Sequence, residues 1–276
     1  MIFLLTLGTA FALAPEVEEA ERLANAGDLP GVLRVLERYV AAHPDEPEGL
    51  WRLSRTLYEH GEVLAQSASD EQRLPLYARA QVLAHHVQEV APENGQGYLW
   101  EGVAMGRIAT TSGILSQLST ADDIEALWIK ALSKPTKYRM DTGISSFPGD
   151  VYNALGQFYR LCPDWLLMKW ISGTRGDIDK SVSYFEMMVA DDPNRLEGLK
   201  ELGVALLCKG YKRDDEAAKA QGRIWLRKAV TLPHSYPTDA IDHDQIPTIL
   251  ARESEACGYS RDGWEDTSEA SYAKQK

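Results

Sequence analysis

The chain has 276 residues, of which 44% are hydrophobic and 9% aromatic, so it can bury a substantial core. Its 29 basic residues stand against 41 acidic ones, which gives a net charge of −12. An acidic protein of this kind is repelled by nucleic acid and by anionic membranes, so the charge argues against non-specific binding to either. Neutral and basic partners remain open.

The first 14 residues are apolar and uncharged, and they end in Ala12-Leu13-Ala14 before Pro15. An apolar segment that ends in small residues is typical of a secretory signal peptide, and this one is shorter than the about 20 residues of a membrane-spanning helix. We therefore predict that residues 1–14 are a signal peptide and that the protein is exported to the periplasm or cell envelope. The basic residues that usually begin such a signal are absent, and the alternative is an ordinary buried N-terminal helix.

From Pro15 onward, apolar residues recur at helical spacing in successive segments. The segments form four or five pairs, and a proline closes most of them. The pairs cover residues 15–44, 45–92, 98–132, 152–193 and 199–233. In four pairs, the closing proline lies 12 positions after a residue of the second helix, and these residues are Val32, Ala80, Ser181 and Gln221. Between the third and fourth pairs, residues 138–149 lack this periodicity and are expected to form a long loop or a short helix.

The clearest pair lies in the middle of the chain. Its pattern consists of Tyr152, Leu155, Gly156, Tyr159, Ser181, Phe185 and Pro193. The first four residues share one face of a helix, because their spacing matches 3.6 residues per turn. The missing side chain at Gly156 lets the helix that carries Phe185 come close. Pro193 ends the second helix, since proline cannot continue the hydrogen-bond ladder.

This order of residues resembles the tetratricopeptide pattern W-x2-L-G-x2-Y … A-x3-F … P, with Tyr152 for Trp and Ser181 for Ala. The resemblance implies an all-α protein, an α-α superhelix of about four to five helical hairpins with insertions. We assign residues 15–257 to this domain and residues 258–276 to a polar, flexible tail. The repeat length, 47 residues from Gly156 to Gly203, exceeds the roughly 34 of regular tetratricopeptides and approaches that of HEAT-type repeats.

In a superhelix of this kind, the first helix of each hairpin lines the concave side. Residues beside the packing stripes should face outward there, and we predict that they form a groove for a partner or ligand. They are Trp51, Arg55, Tyr58, Arg107, Asn153, Gln157, Arg160 and Lys200. Four of these eight are basic, which favours an acidic or carboxylate-bearing ligand. The alternative is that they are ordinary solvated positions.

No pattern of catalytic residues is found in the sequence. There is no G-x-S-x-G nucleophile motif, and the glycines lack the preceding strand of a phosphate loop. His85 and His86 are adjacent, so they point about 100° apart on a helix and cannot share a metal ion. The cluster Asp242-His243-Asp244 is better explained as an acidic helix start. We predict a protein that is not an enzyme and has no cofactor or metal site.

Three cysteines, Cys162, Cys208 and Cys257, allow at most one disulfide within the chain. Cys208 lies one turn beyond Val204 in an apolar helical segment. We interpret it as a small buried hydrophobic residue. Whether any two of the three cysteines are bonded stays open at this point.

Two narrower resemblances involve longer stretches. Tyr152-Asn-Ala-Leu-Gly-Gln-Phe-Tyr159 and Gly176-Asp177-x-x-Lys180, together with an exported N-terminus, are similar to the T-component of TRAP-type transporters. Two features depart from that family, namely the absence of a lipid-anchoring cysteine and a single glycine before Asp177. Trp51-Arg52-Leu53-Ser54-Arg55 and the Leu-Gly hairpin resemble the regulator-of-microtubule-dynamics proteins instead.

Both resemblances imply a binding protein. The first implies a protein-protein interaction scaffold of the cell envelope, an accessory component of a TRAP-type transporter with a periplasmic solute-binding protein as its partner. The alternatives are a carrier of a small apolar or carboxylate ligand in an internal cleft, and an intracellular adaptor. Each is compatible with a homo-oligomer, and none requires nucleic acid or a stable membrane span.

Overall fold

The structure, a computed structural model, describes residues 13–65 and 67–275. Most of the predicted signal peptide, residues 1–12, lies outside the described residues, so this prediction is untested. Within the described part, no helix combines the length and apolarity that a membrane crossing requires.

Five helix pairs follow one another along the described chain, numbered here in chain order. They are α1 (Pro15–Asn25) with α2 (Leu29–Ala42), α3 (Pro47–Leu64) with α4 (Asp70–Val90), α5 (Gly95–Thr111) with α6 (Ala121–Leu132), α7 (Phe147–Leu161) with α9 (Ile178–Asp191), and α10 (Leu196–Arg213) with α11 (Glu216–Ala229). The two helices of each pair pack together, and each pair packs on the next. The predicted all-α superhelix of helical hairpins is therefore confirmed.

Three short 3-10 helices in the described chain lie at Ile114–Ser116, Leu118–Thr120 and Glu253–Gly258, and further elements complete it. These further elements are α8 (Met168–Ser172), α12 (Asp239–Ala251), the two-stranded hairpin of β1 (Tyr259–Ser260) and β2 (Gly263–Trp264), and α13 (Glu269–Gln275). Helix α8 lies in the insertion between α7 and α9, and α12 packs against the last pair. The segment between α6 and α7 is a loop with one antiparallel bridge between Arg139 and Ser146. Of the two alternatives for this segment, the loop is the correct one.

Local sequence signals set the helix boundaries. The side chains of Asp28 and Asp215 each accept a hydrogen bond from a backbone N–H in the first turn of the helix that follows. Such caps satisfy donors that have no partner inside the helix. Proline occupies the first turn of α1, α2, α3 and α7, where its missing N–H costs nothing.

The approach of α7 to α9 depends on Gly156. A Cβ atom at this position would lie 2.7 Å from two ring carbons of Phe185, closer than real contacts allow. The hydroxyl of Ser181 donates to the carbonyl of Gly156 at 2.8 Å, which fixes the same contact. The predicted role of this glycine is confirmed.

The prediction of a flexible tail from residue 258 is wrong for the β1–β2 hairpin, which we call the C-terminal hairpin (residues 259–264). It lies against the inner side of the superhelix. The guanidinium of Arg261 at its tip pairs with Glu62 of α3 at 2.7 Å, Glu197 of α10 at 2.8 Å and Asp242 of α12 at 3.0 Å. Helical periodicity could not reveal this, because the pairing joins residues up to 199 positions apart.

A disulfide joins Cys208 of α10 to Cys257, with the two Cα atoms 4.6 Å apart. Cys208 is buried in the core of the last helix pair, as expected, and the question of which cysteines are bonded is answered by this disulfide. Cys162 is a free, buried thiol. Cys257 lies two residues before β1, so the disulfide anchors the chain where the C-terminal hairpin begins.

Candidate binding cleft on the concave face

Helices α3, α5, α7 and α10 lie side by side and form the concave face of the superhelix. A cleft of about 1100 Å³, open to solvent, lies on this face. Its walls come mainly from α5, α6 and α7, and Ser260 of the C-terminal hairpin closes one side. One part of the wall is apolar, and the other part is polar and charged.

The apolar wall is built around three aromatic side chains, Trp100, Trp128 and Phe158. The indole N–H of Trp100 donates to the side chain of Gln96 at 2.9 Å, and that of Trp128 donates to the carbonyl of Leu99 at 3.2 Å. Since both polar atoms of the indoles are used within the protein, the rings offer only apolar surface. Aliphatic side chains extend this wall, namely Val103, Ile114, Leu118, Ile124 and Leu161.

The charged part of the wall centres on Arg195, which precedes α10. One of its terminal nitrogens lies 2.6 Å from Asp150, and the other lies 2.7 Å from Glu197. Burial alone would raise the pKa of Glu197, but Arg195 and Arg261 lower it by more, and the net pKa is well below the usual range. Asp150 and Glu197 also raise the pKa of Arg195 against the effect of burial. Arg195 and Glu197 are therefore both charged at neutral pH.

A second cation, Arg107 of α5, is compensated in the same way. It pairs with Glu62 at 2.6 Å and with Asp262 of the C-terminal hairpin at 2.8 Å. Nearby, burial is the largest cause that raises the pKa of the Tyr58 phenol, followed by the charge of Glu62. Tyr58 is therefore a neutral hydroxyl at physiological pH.

Several neutral polar groups on the cleft wall have hydrogen-bonding capacity left, among them Asn153, Gln157 and Ser260. The amide nitrogen of Gln157 donates to the side-chain oxygen of Asn153 at 3.0 Å. This contact leaves the amide nitrogen of Asn153 and the carbonyl oxygen of Gln157 free to bind other groups. The hydroxyl of Ser260 is buried and has no hydrogen-bond partner among the described residues.

Of the eight residues predicted to form the groove, Tyr58, Arg107, Asn153 and Gln157 line this cleft. The structure brings these four together, and their role in binding stays a prediction.

The other four, Trp51, Arg55, Arg160 and Lys200, are buried elsewhere, so the expectation that they face solvent is wrong. Arg55 pairs with Glu59 at 2.7 Å.

Arg160 and Lys200 are enclosed beneath the C-terminal hairpin, where Arg160 pairs with Glu201 at 2.8 Å and Lys200 pairs with Asp242 at 2.6 Å. Trp51 donates its indole N–H to Glu48 at 3.0 Å. The C-terminal segment covers Arg160 and Lys200, whereas the ring of Trp51 packs against Tyr138 in the loop between α6 and α7.

Sequence reasoning missed the aromatic wall and the ion pairs of Arg195. Trp100 lies two residues after Tyr98, off the apolar stripe of its helix. An aromatic residue in that position could have indicated an aromatic wall outside the packing core. Arg195 gave no such signal, since a charged residue beside a helix start is ordinarily solvated. Asp242 is buried between Lys200 and Arg261. No group of three His, Cys, Asp or Glu side chains in the described chain could hold a metal ion.

A model of the family described as "Regulator of microtubule dynamics protein 1-3" matches residues 17–140, less than half of the chain. The match runs from α1 into the loop after α6. It agrees with the second of the two resemblances noted from the sequence. A search of curated proteins found no match.

Solved structures with a similar fold include two of IFIT1. The human IFIT1 dimer with m7Gppp-AAAA is 12% identical, with a TM-score of 0.55 over 88% of this chain and 48% of that chain. A monomeric IFIT1 mutant with the same RNA gives 12% identity and a TM-score of 0.54, over 88% of this chain and 47% of that chain. MamA RS-1 is 15% identical over 79% of this chain and 96% of that chain, with a TM-score of 0.42.

This chain therefore spans about half the length of the IFIT1 chains. At such low identity the likeness concerns the fold alone. Together with the helix pairs and the repeat pattern, it shows that the chain is a tetratricopeptide-like helical-repeat protein.

Proposed function

We propose that this protein is a non-catalytic binding scaffold, and that a partner protein inserts an apolar group into the cleft. The observation that carries the proposal is the juxtaposition of three aromatic faces with unused amide and hydroxyl groups in one cleft. Apolar pockets with a few polar groups are the usual form of binding sites, and buried aromatic anchors dominate many protein interfaces. Helical superhelices commonly bind on their concave side.

The C-terminal hairpin limits what the partner can present. Arg261 already forms ion pairs with carboxylates of α3 and α10 on the concave face, and Asp262 forms one with a guanidinium of α5. A long peptide cannot lie along the whole face while those ion pairs are intact. A short segment with one anchoring side chain fits the space that remains.

We further propose that the protein acts in the cell envelope. The disulfide between Cys208 and Cys257 supports this location, because structural disulfides persist in oxidising compartments and are rare in the cytosol. The partner would then be an exported protein, and the resemblance to T-components suggests the solute-binding protein of a TRAP-type transporter. The family match over residues 17–140 supports the competing proposal, an intracellular adaptor.

Thiol counting separates the two locations. The protein is taken from its native host, denatured without reductant and alkylated, and its intact mass is measured. One alkylated thiol, that of Cys162, is expected for an exported protein with the disulfide formed. Three alkylated thiols would contradict the envelope location and favour the adaptor.

A second candidate function is a carrier of a small ligand. The lining of the cleft favours it, since small-molecule sites are mostly apolar with a few neutral polar groups that orient the ligand. Native mass spectrometry of the purified protein would then show a co-purified mass. The partner proposal instead expects the cleft to be empty in the isolated protein.

A substitution that fills the cleft tests the proposal. Ala154 lines the cleft on α7, and Ala154→Phe would place a ring in the cleft. Ala41→Phe, on an exposed position of α2, is the matched control. After cross-linking in the native host, the wild type and the control should carry an identified exported protein cross-linked to cleft residues, and Ala154→Phe should not. A partner that Ala154→Phe retains would show that the cleft is not the docking site.

A further inference from the structure

We propose that the group that enters the cleft carries no charge, and consists of an apolar body with a neutral hydrogen-bonding head such as a carboxamide or a hydroxyl. The inference rests on the proposed function, because it describes the occupant of the same cleft. It replaces the acidic or carboxylate-bearing ligand that the sequence led us to expect. Four observations carry it.

The first observation is the charge balance of the wall. Among the described residues, four charged side chains line the cleft, and their charges sum to zero: Arg107, Arg195, Asp150 and Glu197. Arg195 is bonded to both Asp150 and Glu197, and Arg107 is bonded to two further carboxylates beside the cleft. Neither cation has a missing counter-ion that a ligand could replace.

The second observation concerns what a charged head would meet. A ligand carboxylate next to Arg195 would lie close to Asp150 and Glu197, and the repulsion between like charges would offset its attraction to the guanidinium. An ammonium group beside Glu197 would meet Arg195 and Arg261, which bind that carboxylate at 2.7 Å and 2.8 Å. In both cases the ligand would lose its hydration without gaining an uncompensated partner, which is unfavourable in a buried site.

The third observation is that the unused polar groups are all neutral. Asn153 and Gln157 lie one helical turn apart on α7, and after their mutual bond they offer an amide N–H donor and a carbonyl acceptor. A carboxamide or hydroxyl complements such a pair. Ser260 adds a buried hydroxyl without a partner in the part of the chain that the structure describes, and leaving such a group unpaired costs about 1–3 kcal/mol.

The fourth observation is the apolar wall itself. The indole N–H groups of Trp100 and Trp128 are already bonded, so the aromatic surface has no polar atom to direct a ligand. Binding of a flat or aliphatic group to this surface is therefore stabilised by the burial of apolar area alone. Body and head together define a neutral amphipathic group, which a partner's uncharged side chain or a free small molecule can supply.

Two fluorescent probes with the same aromatic body test the charge requirement. N-Phenylnaphthylamine is neutral, and anilinonaphthalene sulfonate differs from it by one sulfonate. Titration of the purified full chain should show one site for the neutral probe, with a dissociation constant at least tenfold lower than that of the sulfonate. Ala154→Phe should abolish binding of the neutral probe, and Ala41→Phe should leave it unchanged.

Charge variants extend the test. Asp150→Asn removes one carboxylate from Arg195, so it should reduce the preference for the neutral probe at least tenfold. Because Asp150 is buried, the variant must first show wild-type circular dichroism. Gln157→Lys adds a cation at a half-buried position, should shift the preference in the same direction, and serves if Asp150→Asn does not fold.

The outcomes separate the two proposals. If the sulfonate binds the wild type as tightly as the neutral probe, and Ala154→Phe abolishes both, the cleft is a binding site but the charge inference is wrong. If neither probe binds, or Ala154→Phe has no effect, the cleft is not a binding site for apolar groups. Both the inference and the proposed function then fail. Cross-linking and native mass spectrometry distinguish a partner's side chain from a free ligand as the natural source.

Discussion

At the scale of single residues, Lys200 shows how completely tertiary contacts can change the role of a charged side chain. Its exposed fraction is 0%, and its ammonium lies 2.6 Å from Asp242, 2.9 Å from Glu201 and 3.2 Å from the hydroxyl of Tyr259. Burial alone would lower the pKa of Lys200, but the two carboxylates raise it by more, and the net pKa is above the usual value. The side chain is therefore charged inside the protein.

We expect Lys200→Met to lower the free energy of unfolding by about 1.5–3 kcal/mol, because it removes a buried charged donor while Asp242 keeps Arg261 and Glu201 keeps Arg160 as partners. Urea denaturation followed by circular dichroism measures the change. Lys137→Met, at an exposed lysine without an ion pair in the described residues, is the control and should stay within about 0.5 kcal/mol of the wild type. Equal stability of both variants would contradict this account of Lys200.

At the scale of elements, the helix pairs were predictable because their signals are local. Apolar residues at helical spacing, prolines at the ends and the small residue Gly156 all act within one or two neighbouring helices. The C-terminal hairpin was not predictable, because Arg261 finds its carboxylates on three distant helices and nothing in residues 258–264 marks it as an inward-facing segment. The cleft was half predictable for the same reason: Asn153 and Gln157 follow from helix geometry, whereas the ion pairs of Arg195 do not.

Two glycines test the packing of elements directly. Gly156→Ala should destabilise the protein by about 1–3 kcal/mol, because the new methyl group would overlap the ring of Phe185 and force α7 and α9 apart. Gly106→Ala, in the interior of α5, meets Trp128 no closer than 3.6 Å and should be neutral or stabilising by up to about 1 kcal/mol through its helix propensity. Thermal and urea unfolding of both variants would settle the comparison. Stabilisation by Gly156→Ala would contradict the close approach.

At the scale of the whole molecule, the C-terminal hairpin changes how the superhelix is held together. Helical repeats ordinarily gain stability from each hairpin and its nearest neighbours. Here Arg261 links α3 to α10 and α12, while Asp262 reaches Arg73 of α4 and Arg107 of α5. The disulfide at Cys257 fixes the base of the hairpin to α10. Early and late repeats are therefore connected across the concave face as well as through the stack.

Arg261→Gln should weaken this connection without unfolding the repeats. Each of its three carboxylates keeps another cation, since Glu62 still pairs with Arg107, Glu197 with Arg195 and Asp242 with Lys200. We expect a loss of about 1.5–3 kcal/mol, as for hydrogen bonds to charged groups.

In hydrogen exchange, amides of α3 should lose protection earlier than those of α10, because α10 keeps the disulfide and the core of the last pair. Arg22→Gln, which breaks only an exposed pair with Glu19, should change neither helix. A uniform loss of protection in α3 and α10 would instead show that the repeats unfold as one unit and that the hairpin adds no separate link between them.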